Sequence, residues 1–253
     1  MSPAVMLRGV IFDLGGTLIY SAEFEAANAQ ALTRWLRTRG HPVPDDFALA
    51  VMAERQARWA GRRGTEEVTA HDALRAALQR YGLPTDAAFV ADAERAFFIP
   101  ELEGMRPRPG AVALLARLAG AGLPLGLISN ASSHYLIVEC CRRLLLAPYL
   151  EPIVVSAAVG WRKPDPRIFH VVLRHWGLEA AQVVMVGDSL EADIAGARAM
   201  GLRSILLAPP RDDGPPAAHS APEPAPPAVA QPDAIAASLL QVGEIIDRWR
   251  AEP

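Results

Sequence analysis

The sequence is poor in cysteine and has no excess of positive charge. Its two cysteines, Cys140 and Cys141, are adjacent and cannot join distant segments. This excludes a secreted fold built on disulfides and favours a reducing compartment. The 25 Lys and Arg residues are outnumbered by 28 Asp and Glu residues. The chain therefore has no electrostatic footprint for nucleic acid or for an anionic membrane surface.

Segments that would enter a membrane are missing as well. The most apolar long stretch, residues 111–129, is interrupted by Arg117, Gly120, Gly122 and Pro124. The N-terminal apolar run is too short for a signal peptide, and Asp13 follows it directly. We therefore expect a cytoplasmic protein that binds neither membrane nor nucleic acid. Its 253 residues, 51% of them hydrophobic, suffice for a sizeable core, and either a monomer or a homodimer is compatible with them.

Lysine is almost absent from the chain. Arginine supplies 24 of the 25 basic residues, and Lys163 is the one lysine. A compact ammonium differs from a planar guanidinium in shape, hydration and reach, so a site that needs the ammonium would resist replacement by arginine. The alternative is that Lys163 is a surface residue without a special role.

The spacing of hydrophobic residues divides the chain into a helical segment inside an α/β segment. Residues 10–12 form an apolar run typical of a short buried strand, which ends at Asp13 and a glycine turn. From residue 21 onward the apolar residues recur at helical spacing, and no convincing strand appears. We predict a helical domain over 21–104, inserted into a core domain formed by 1–20 and 105–253.

Beyond residue 105, short apolar runs alternate with amphipathic helices, and a single helix is predicted over 190–200. Strands this apolar imply a parallel sheet covered by helices on both faces, which is a doubly wound α/β fold. Residues 209–232 contain nine of the 22 prolines and are predicted to form a flexible loop. The four strands predicted here cover 124–128, 153–156, 183–186 and 204–207.

Polar residues collect at the predicted carboxyl ends of the strands, where parallel α/β sheets bind their ligands. They are Asp13, Ser129, Asn130, Lys163, Asp188 and, one turn later, Asp193. Carboxylates that share a site repel one another unless a cation joins them, and ligands that are all oxygen suit Mg²⁺. With an ammonium and helix N-termini nearby, the expected guest is a phosphoryl group. Ordinary helix caps and turns would also use these residue types, but would not explain their convergence.

Four motifs follow one another along the chain. They are VIFDLGGTL at Val10–Leu18, LGLISN at Leu125–Asn130, Lys163 within GWRKPDPRIF, and MVGDSLEADIAGA at Met185–Ala197. In these motifs and their order the chain resembles the haloacid dehalogenase superfamily, most of whose members are Mg²⁺-dependent phosphatases. The resemblance implies a Rossmann-like core with a helical cap of the C1 type. Such a cap closes over the site and selects the substrate, here a small phosphorylated molecule.

The resemblance also implies roles for the acidic residues. Asp13 would attack phosphorus and form an aspartyl-phosphate, which divides one difficult displacement into two easier ones. Mg²⁺ would be held by the carboxylates of Asp13 and Asp188 and by the backbone carbonyl of Gly15. Asp193 would orient the water ligands of the ion.

The remaining motif residues would bind the phosphoryl group. Ser129 and Lys163 would neutralise its oxygens as charge redistributes in the transition state, and Thr17 and the amide of Asn130 would complete the cradle. Arg62, in the helical segment, is a further candidate for substrate binding. A run of charges on a helix is nevertheless more often a solvated face.

One position departs from the phosphatase pattern. Phosphatases of this superfamily usually carry a second Asp two residues after the nucleophile, where this chain has Gly15. That Asp protonates the leaving alcohol and later activates water, and losing such a group typically costs about 10²–10⁴ in rate. Because metal ligation at this position uses only the carbonyl, we expect Gly15 to leave Mg²⁺ binding intact and to bear on turnover alone.

Several interpretations of Gly15 are open. In the first, the substrate has a leaving group that needs little protonation, such as an anomeric or acyl phosphate. In the second, another acid supplies the proton, and Tyr20, Glu23 and His134 are candidates because they are close in sequence to motif residues. In the third, the protein binds phosphorylated ligands without turnover. A fourth is dehalogenation, because haloacid dehalogenases also lack the second Asp. They typically have a neutral residue near the position of Asp188, however, so the sequence favours a phosphatase.

Overall fold

A six-stranded parallel sheet forms the core of the computed structural model, which describes residues 6–20, 22–208 and 231–251. The strand order is β3-β2-β1-β4-β5-β6, and every neighbouring pair is parallel. The predicted Rossmann-like, doubly wound α/β fold is therefore confirmed. The strands are β1 (Gly9–Phe12), β2 (Leu125–Ser129), β3 (Ile153–Val155), β4 (Val183–Gly187), β5 (Arg203–Leu207) and β6 (Ala234–Ala236).

Five helices separate β1 from the rest of the core. Helix α1 packs against α2, α4 and α5, and α3 packs against α2 and α4. Their buried faces carry apolar residues four apart, such as Leu32 and Leu36 in α1 and Leu74 and Leu78 in α3. The strands of the sheet all come from outside residues 22–104. The five helices are α1 (Glu25–Thr38), α2 (Phe47–Ala60), α3 (Ala70–Arg80), α4 (Ala87–Phe97) and α5 (Ile99–Gly104).

Helices cover both faces of the sheet, which explains why most residues of its strands are apolar. Val10 and Phe12 of β1 belong to one hydrophobic cluster, with side chains of α6, α7 and α11. Ile11, between them, belongs to a second cluster with α9 and α10 on the opposite face. The core helices are α6 (Ala111–Gly120), α7 (His134–Arg143), α8 (Ser156–Val159), α9 (Pro166–Trp176), α10 (Gly196–Met200) and α11 (Leu239–Ala251).

Three details of the fold differ from the sequence prediction. Strand β2 includes Ser129, one residue beyond the predicted end. The single helix expected over 190–200 begins as a π-helical turn, Leu190–Ala195, because the carbonyl of Ser189 accepts the amide of Ile194 at 3.1 Å. Strand β6 was not predicted, since three residues carry too little pattern. Of the predicted Pro/Ala-rich loop, residues 209–230 lie outside the described residues.

No helix in the described part of the chain combines the length and the apolar character needed to span a bilayer.

Candidate active site

Three acids and one lysine meet at the carboxyl edge of the sheet. Asp13 follows β1 directly, and its N–H donates to the carbonyl of Val186 in β4 at 2.9 Å. Asp188 follows β4, and Asp193 lies in the π-helical turn. One carboxylate oxygen from each acid lies within 4.8 Å of the others. The central strand β1 pairs with both β2 and β4, so the strand order itself brings these residues together.

Lys163 occupies the centre of this cluster. Its Nζ lies 2.6 Å from Oδ1 of Asp13 and 2.7 Å from Oδ1 of Asp193, and it donates to the carbonyl of Ile128 at 2.8 Å. The side chain is only 1% exposed. The alternative that Lys163 is a surface residue without a special role is therefore wrong. A buried ammonium needs partners of this kind, because burying an unpaired charge is costly.

Burial and crowding shift the pKa values of these groups. Loss of hydration raises the pKa of Asp13 to about 7; Lys163 opposes the shift, while Asp193 and Asp188 add to it. Desolvation followed by repulsion from Asp193 raises the pKa of Asp188 to about 6, although the residue as a whole is exposed. Burial alone would lower the pKa of Lys163, but attraction to Asp13 and Asp193 outweighs it, and the pKa is raised. Three acids thus face one ammonium, an imbalance that a further cation would relieve.

The turn after β1 forms the other wall of the cluster. Gly16 has a φ of +79°, and a Cβ there would lie 2.0 Å from Oδ2 of Asp188, so this turn requires glycine. Thr17 is fully buried, and its hydroxyl has no hydrogen-bond partner among the described residues. Thr17 adjoins Gly16, which borders Asp188, and a bound ligand would supply the partner that its buried hydroxyl needs. These oxygen donors are the kind that Mg²⁺ prefers, so the residues fit the predicted cation.

Comparison with known proteins agrees with this geometry. Residues 7–201 match the family model of the haloacid dehalogenase-like hydrolases. The chain belongs to this hydrolase family. The chain is therefore an enzyme, a hydrolase of this family.

Relatives of the hydrolase include enzymes with different reactions. It is 31% identical over 209 residues to phosphoglycolate phosphatase of Yersinia pseudotuberculosis, covering 79% of this chain and 81% of the relative. It is 29% identical over 201 residues to glyceraldehyde 3-phosphate phosphatase of Pyrococcus abyssi, with coverage of 79% and 81%. The crystal structure of a 2-haloacid dehalogenase from Pseudomonas syringae is similar with a TM-score of 0.68 and 27% identity, covering 96% of this chain and 100% of that one.

The loop after β2 contacts Lys163 in a way that the sequence did not reveal. Ser129 is the buried last residue of β2, next to Ile128, whose carbonyl accepts from Lys163. The Asn130 side chain brackets the Lys163 backbone: Oδ1 accepts the Lys163 N–H at 2.7 Å, and Nδ2 donates to its carbonyl at 2.9 Å. The side chain of Asn130 therefore positions Lys163. A contact between the backbone amide of Asn130 and a phosphoryl group stays a prediction.

Arg62 packs against an aromatic ring of the helical segment. Its guanidinium lies 4.0 Å from the centre of the Trp59 ring, and its Nη1 donates to the Trp59 carbonyl at 3.2 Å. The guanidinium of Arg162, next to Lys163 in sequence, stacks on the same ring at 4.5 Å. Trp59 thus contacts both Arg62 and Arg162, the residue before Lys163. The role of Arg62 in substrate binding stays a prediction.

The residues considered as substitute acids lie in different environments. Tyr20 packs against the guanidinium of Arg108 at 4.9 Å, whereas His134 and Glu23 are exposed. Arg108 itself is a residue that the sequence did not single out, because it belongs to a proline-rich connector rather than to a motif. It lies close enough to Asp188 to oppose, as a minor effect, the rise in the pKa of that acid.

Proposed function

We propose that this hydrolase is a Mg²⁺-dependent phosphatase of small phosphorylated metabolites that works through an aspartyl-phosphate on Asp13. The observation that carries the proposal is the buried Lys163, which contacts Asp13 and Asp193 while Asp188 lies beside them. An ammonium and an acidic cluster in one place suit a ligand that is itself anionic and bound together with a cation. The names of the phosphoglycolate and glyceraldehyde 3-phosphate phosphatase relatives support the same assignment.

In this proposal Asp13 carries out two displacements. A bond forms between an Asp13 carboxylate oxygen and phosphorus while the ester P–O bond breaks, and the leaving oxygen keeps the electron pair. A water oxygen then attacks phosphorus and loses its proton to solvent, the Asp13–phosphorus bond breaks, and the carboxylate and inorganic phosphate are released. The ion pair with Lys163 at 2.6 Å holds the Asp13 carboxylate in a single orientation.

The groups around Asp13 would neutralise the transferring phosphoryl group. Lys163 and Ser129 would bind its oxygens as charge develops, and the Thr17 hydroxyl and the Asn130 backbone amide would complete the cradle. When bound, Mg²⁺ would supply positive charge to the phosphoryl oxygens. The residues proposed to hold it are Asp13, Asp188 and the carbonyl of Gly15, with Asp193 orienting its water ligands.

Gly15 limits the substrates that this site is expected to hydrolyse quickly. The position offers no side chain to protonate a leaving alkoxide, so we expect the largest rates with leaving groups that depart as stable anions, such as anomeric or acyl phosphates. The exposure of Glu23 and His134 supports this interpretation over a substitute acid at either of those two positions, because an exposed side chain is not held against a leaving group.

We further propose that residues 21–104 are a cap domain over a core formed by 1–20 and 105–253. The two connections lie side by side: the Tyr20 N–H donates to the carbonyl of Arg106 at 3.0 Å, and the Arg108 N–H donates to that of Leu18 at 2.9 Å. Adjacent connections of this kind are suited to a hinge. The cytoplasmic location and the choice between monomer and homodimer stay predictions.

The test is hydrolysis of p-nitrophenyl phosphate with and without Mg²⁺, because its good leaving group is penalised least by a missing acid. We expect Mg²⁺-dependent turnover that Asp13→Asn lowers by at least about 10³-fold with the fold intact. Asp45→Asn, a change of a fully exposed acid, is the matched control and should keep the activity. Turnover retained in Asp13→Asn would disprove the nucleophile, and a folded but silent wild-type protein would favour a binding role.

Dehalogenation is the second candidate, because a 2-haloacid dehalogenase has a similar structure and a halide leaves without a proton. The position of Asp188 within the acidic cluster argues against it, since displacement of a halide needs no metal ligand. Chloride release from 2-chloropropionate distinguishes the two reactions. Release that does not depend on Mg²⁺, together with no hydrolysis of p-nitrophenyl phosphate, would replace the phosphatase assignment.

A further inference from the structure

The loop between α2 and α3 pairs with the segment that carries Lys163. The Glu67 N–H donates to the carbonyl of Gly160 at 2.9 Å, and the Arg162 N–H donates to the carbonyl of Thr65 at 2.9 Å. These bonds form an isolated antiparallel bridge between Glu66 and Trp161. The helical segment therefore contacts the core directly beside Lys163.

The Glu67 carboxylate is buried at this contact. Its side chain is 0% exposed, and Oε2 accepts from Nη1 of Arg162 at 2.6 Å and from the hydroxyl of Ser156. Its Oε1 accepts the N–H of Val68 at 2.9 Å. Removing a carboxylate from water is costly unless its oxygens are paired, and here both are. A buried carboxylate whose two oxygens both accept hydrogen bonds holds its partners in a defined arrangement.

The hydroxyl of Ser156 extends this contact to the loop after β2. It accepts the N–H of Ala131 at 2.9 Å, and Ala131 follows Asn130, whose side chain brackets the Lys163 backbone. The Glu67 carboxylate is thus linked through Ser156 to the loop that follows Ser129 and through Arg162 to the loop that bears Lys163.

A second contact holds the far side of the lysine. The Thr65 hydroxyl donates to Oδ2 of Asp165 at 2.7 Å. Asp165 caps α9 by accepting the N–H of Arg167 at 2.9 Å. Lys163 therefore lies between two residues, Arg162 and Asp165, that are both held by the loop between α2 and α3.

We propose that Glu67 is a positioning residue: through Ser156 and Arg162 it holds the loops of Ser129 and Lys163 at the separation that the phosphoryl group requires. The inference rests on the proposed phosphatase function and adds to it a residue of the helical segment that touches no reacting atom. Glu67 is expected to affect the rate because displacing a catalytic group by about 1 Å can lower the rate about 10²-fold.

Glu67→Gln tests this role, with Glu66→Gln as the matched control. Gln keeps the size and an acceptor for Ser156 but removes the charge that faces Arg162, whereas Glu66 is an exposed neighbour. With p-nitrophenyl phosphate and Mg²⁺, we expect kcat per folded molecule to fall about 10- to 100-fold in Glu67→Gln, with KM changed less than about threefold. Adding Arg162→Gln to Glu67→Gln should cause little further loss, because the two side chains act as a pair.

Hydrogen–deuterium exchange tests the same role without relying on activity. We expect Glu67→Gln, but not Glu66→Gln, to speed exchange of the amides of residues 130–132 and of 160–163 together. Ser156→Ala keeps the buried ion pair and should speed exchange only in 130–132, so it serves if Glu67→Gln does not fold. Unchanged kcat or unchanged exchange at both loops would overturn the inference, whereas a wild-type protein without phosphatase activity would overturn the proposed function instead.

Discussion

The carboxyl edge of the sheet and the helical segment of residues 25–104 reach the site by different routes. At the edge, Asp13, Ser129 and Asp188 each lie at or just beyond the end of a strand, and strand pairing sets their positions. The helical segment contacts the same place through a loop, where Thr65 and Glu67 bind the segment around Lys163. No motif marks these two residues.

The difference shows how far the position of a residue in each architecture can be predicted from its place in the sequence. In a parallel sheet the end of every strand lies at one edge, so a residue's place along the chain specifies its place in space. In a group of packed helices, the residues that face a neighbouring domain depend on how the helices dock. We therefore expect substitutions at the edge to alter the chemistry strongly, and those in the helical segment to act more weakly, on alignment or affinity.

The largest effect in this series is expected for Lys163→Arg. The Nζ has three oxygen neighbours within 2.8 Å and almost no exposed surface, so a larger planar guanidinium cannot take its place. We expect a loss of about 10²–10³ in kcat, the range found when one donor to the transition state is removed. Steady-state kinetics with circular dichroism of the variant would check this. A near-neutral result would mean that the charge alone is needed, not the compact ammonium.

Gly15→Asp is expected to increase the rate. An acid two residues after Asp13 can protonate a leaving alkoxide, so hydrolysis of an alkyl phosphate should rise by about 10²-fold and that of p-nitrophenyl phosphate by less. Gly15→Asn, which has the same shape without the proton, is the control and should give no gain. Equal rates in the wild-type protein and Gly15→Asp would show that another residue already supplies the proton.

Mg²⁺ is expected to stabilise the fold through the same acids. At 100 times its Kd, a ligand of the folded state adds about 2.7 kcal/mol, or roughly 5–10 °C in Tm for a chain of this size. The pKa values of Asp13 and Asp188 are raised from 3.8 to about 7 and about 6, so these groups destabilise the metal-free fold progressively as pH rises from about 4 to about 7. Within that range protons compete with the ion. The gain should therefore be larger near about pH 8 than near about pH 5.5.

Thermal unfolding with and without Mg²⁺ checks this, with Asp188→Asn beside the wild-type protein. The asparagine variant should lose most of the shift, and Asp45→Asn should retain it. If Mg²⁺ raises the Tm of Asp188→Asn as much as that of the wild-type protein, the cation binds in a different part of the molecule.

The smallest effect is expected for Arg62→Gln in the helical segment. The Arg62 guanidinium stacks on Trp59, so kcat should be unchanged. The KM for an anionic phosphorylated substrate should rise about threefold to tenfold, equivalent to up to roughly 1.4 kcal/mol. Arg63→Gln, at an exposed neighbour, provides the comparison. If both variants leave KM unaltered, Arg62 has no part in substrate binding.

Much of the fold followed from hydrophobic pattern. The apolar runs at β1, β2, β4 and β5 were identified within one residue at their ends, because strands covered on both faces are apolar over most of their length. Strand β6, three residues long, was not identified, since it joins the sheet only through pairing with β5. The π-helical turn was also missed, because its geometry depends on backbone bonds to Ser189 rather than on periodicity.

By itself, the sequence determined that this chain is an α/β hydrolase with acids at the strand ends and a single lysine, since these depend on residue type and order along the chain. Only the tertiary structure decided that Lys163 is buried between Asp13 and Asp193, that Asn130 holds its backbone, and that Glu67 joins the two loops beside it. The separation in sequence gives the reason. Glu67 and Arg162 lie 95 residues apart, and contacts at that distance arise from docking, which no local pattern encodes.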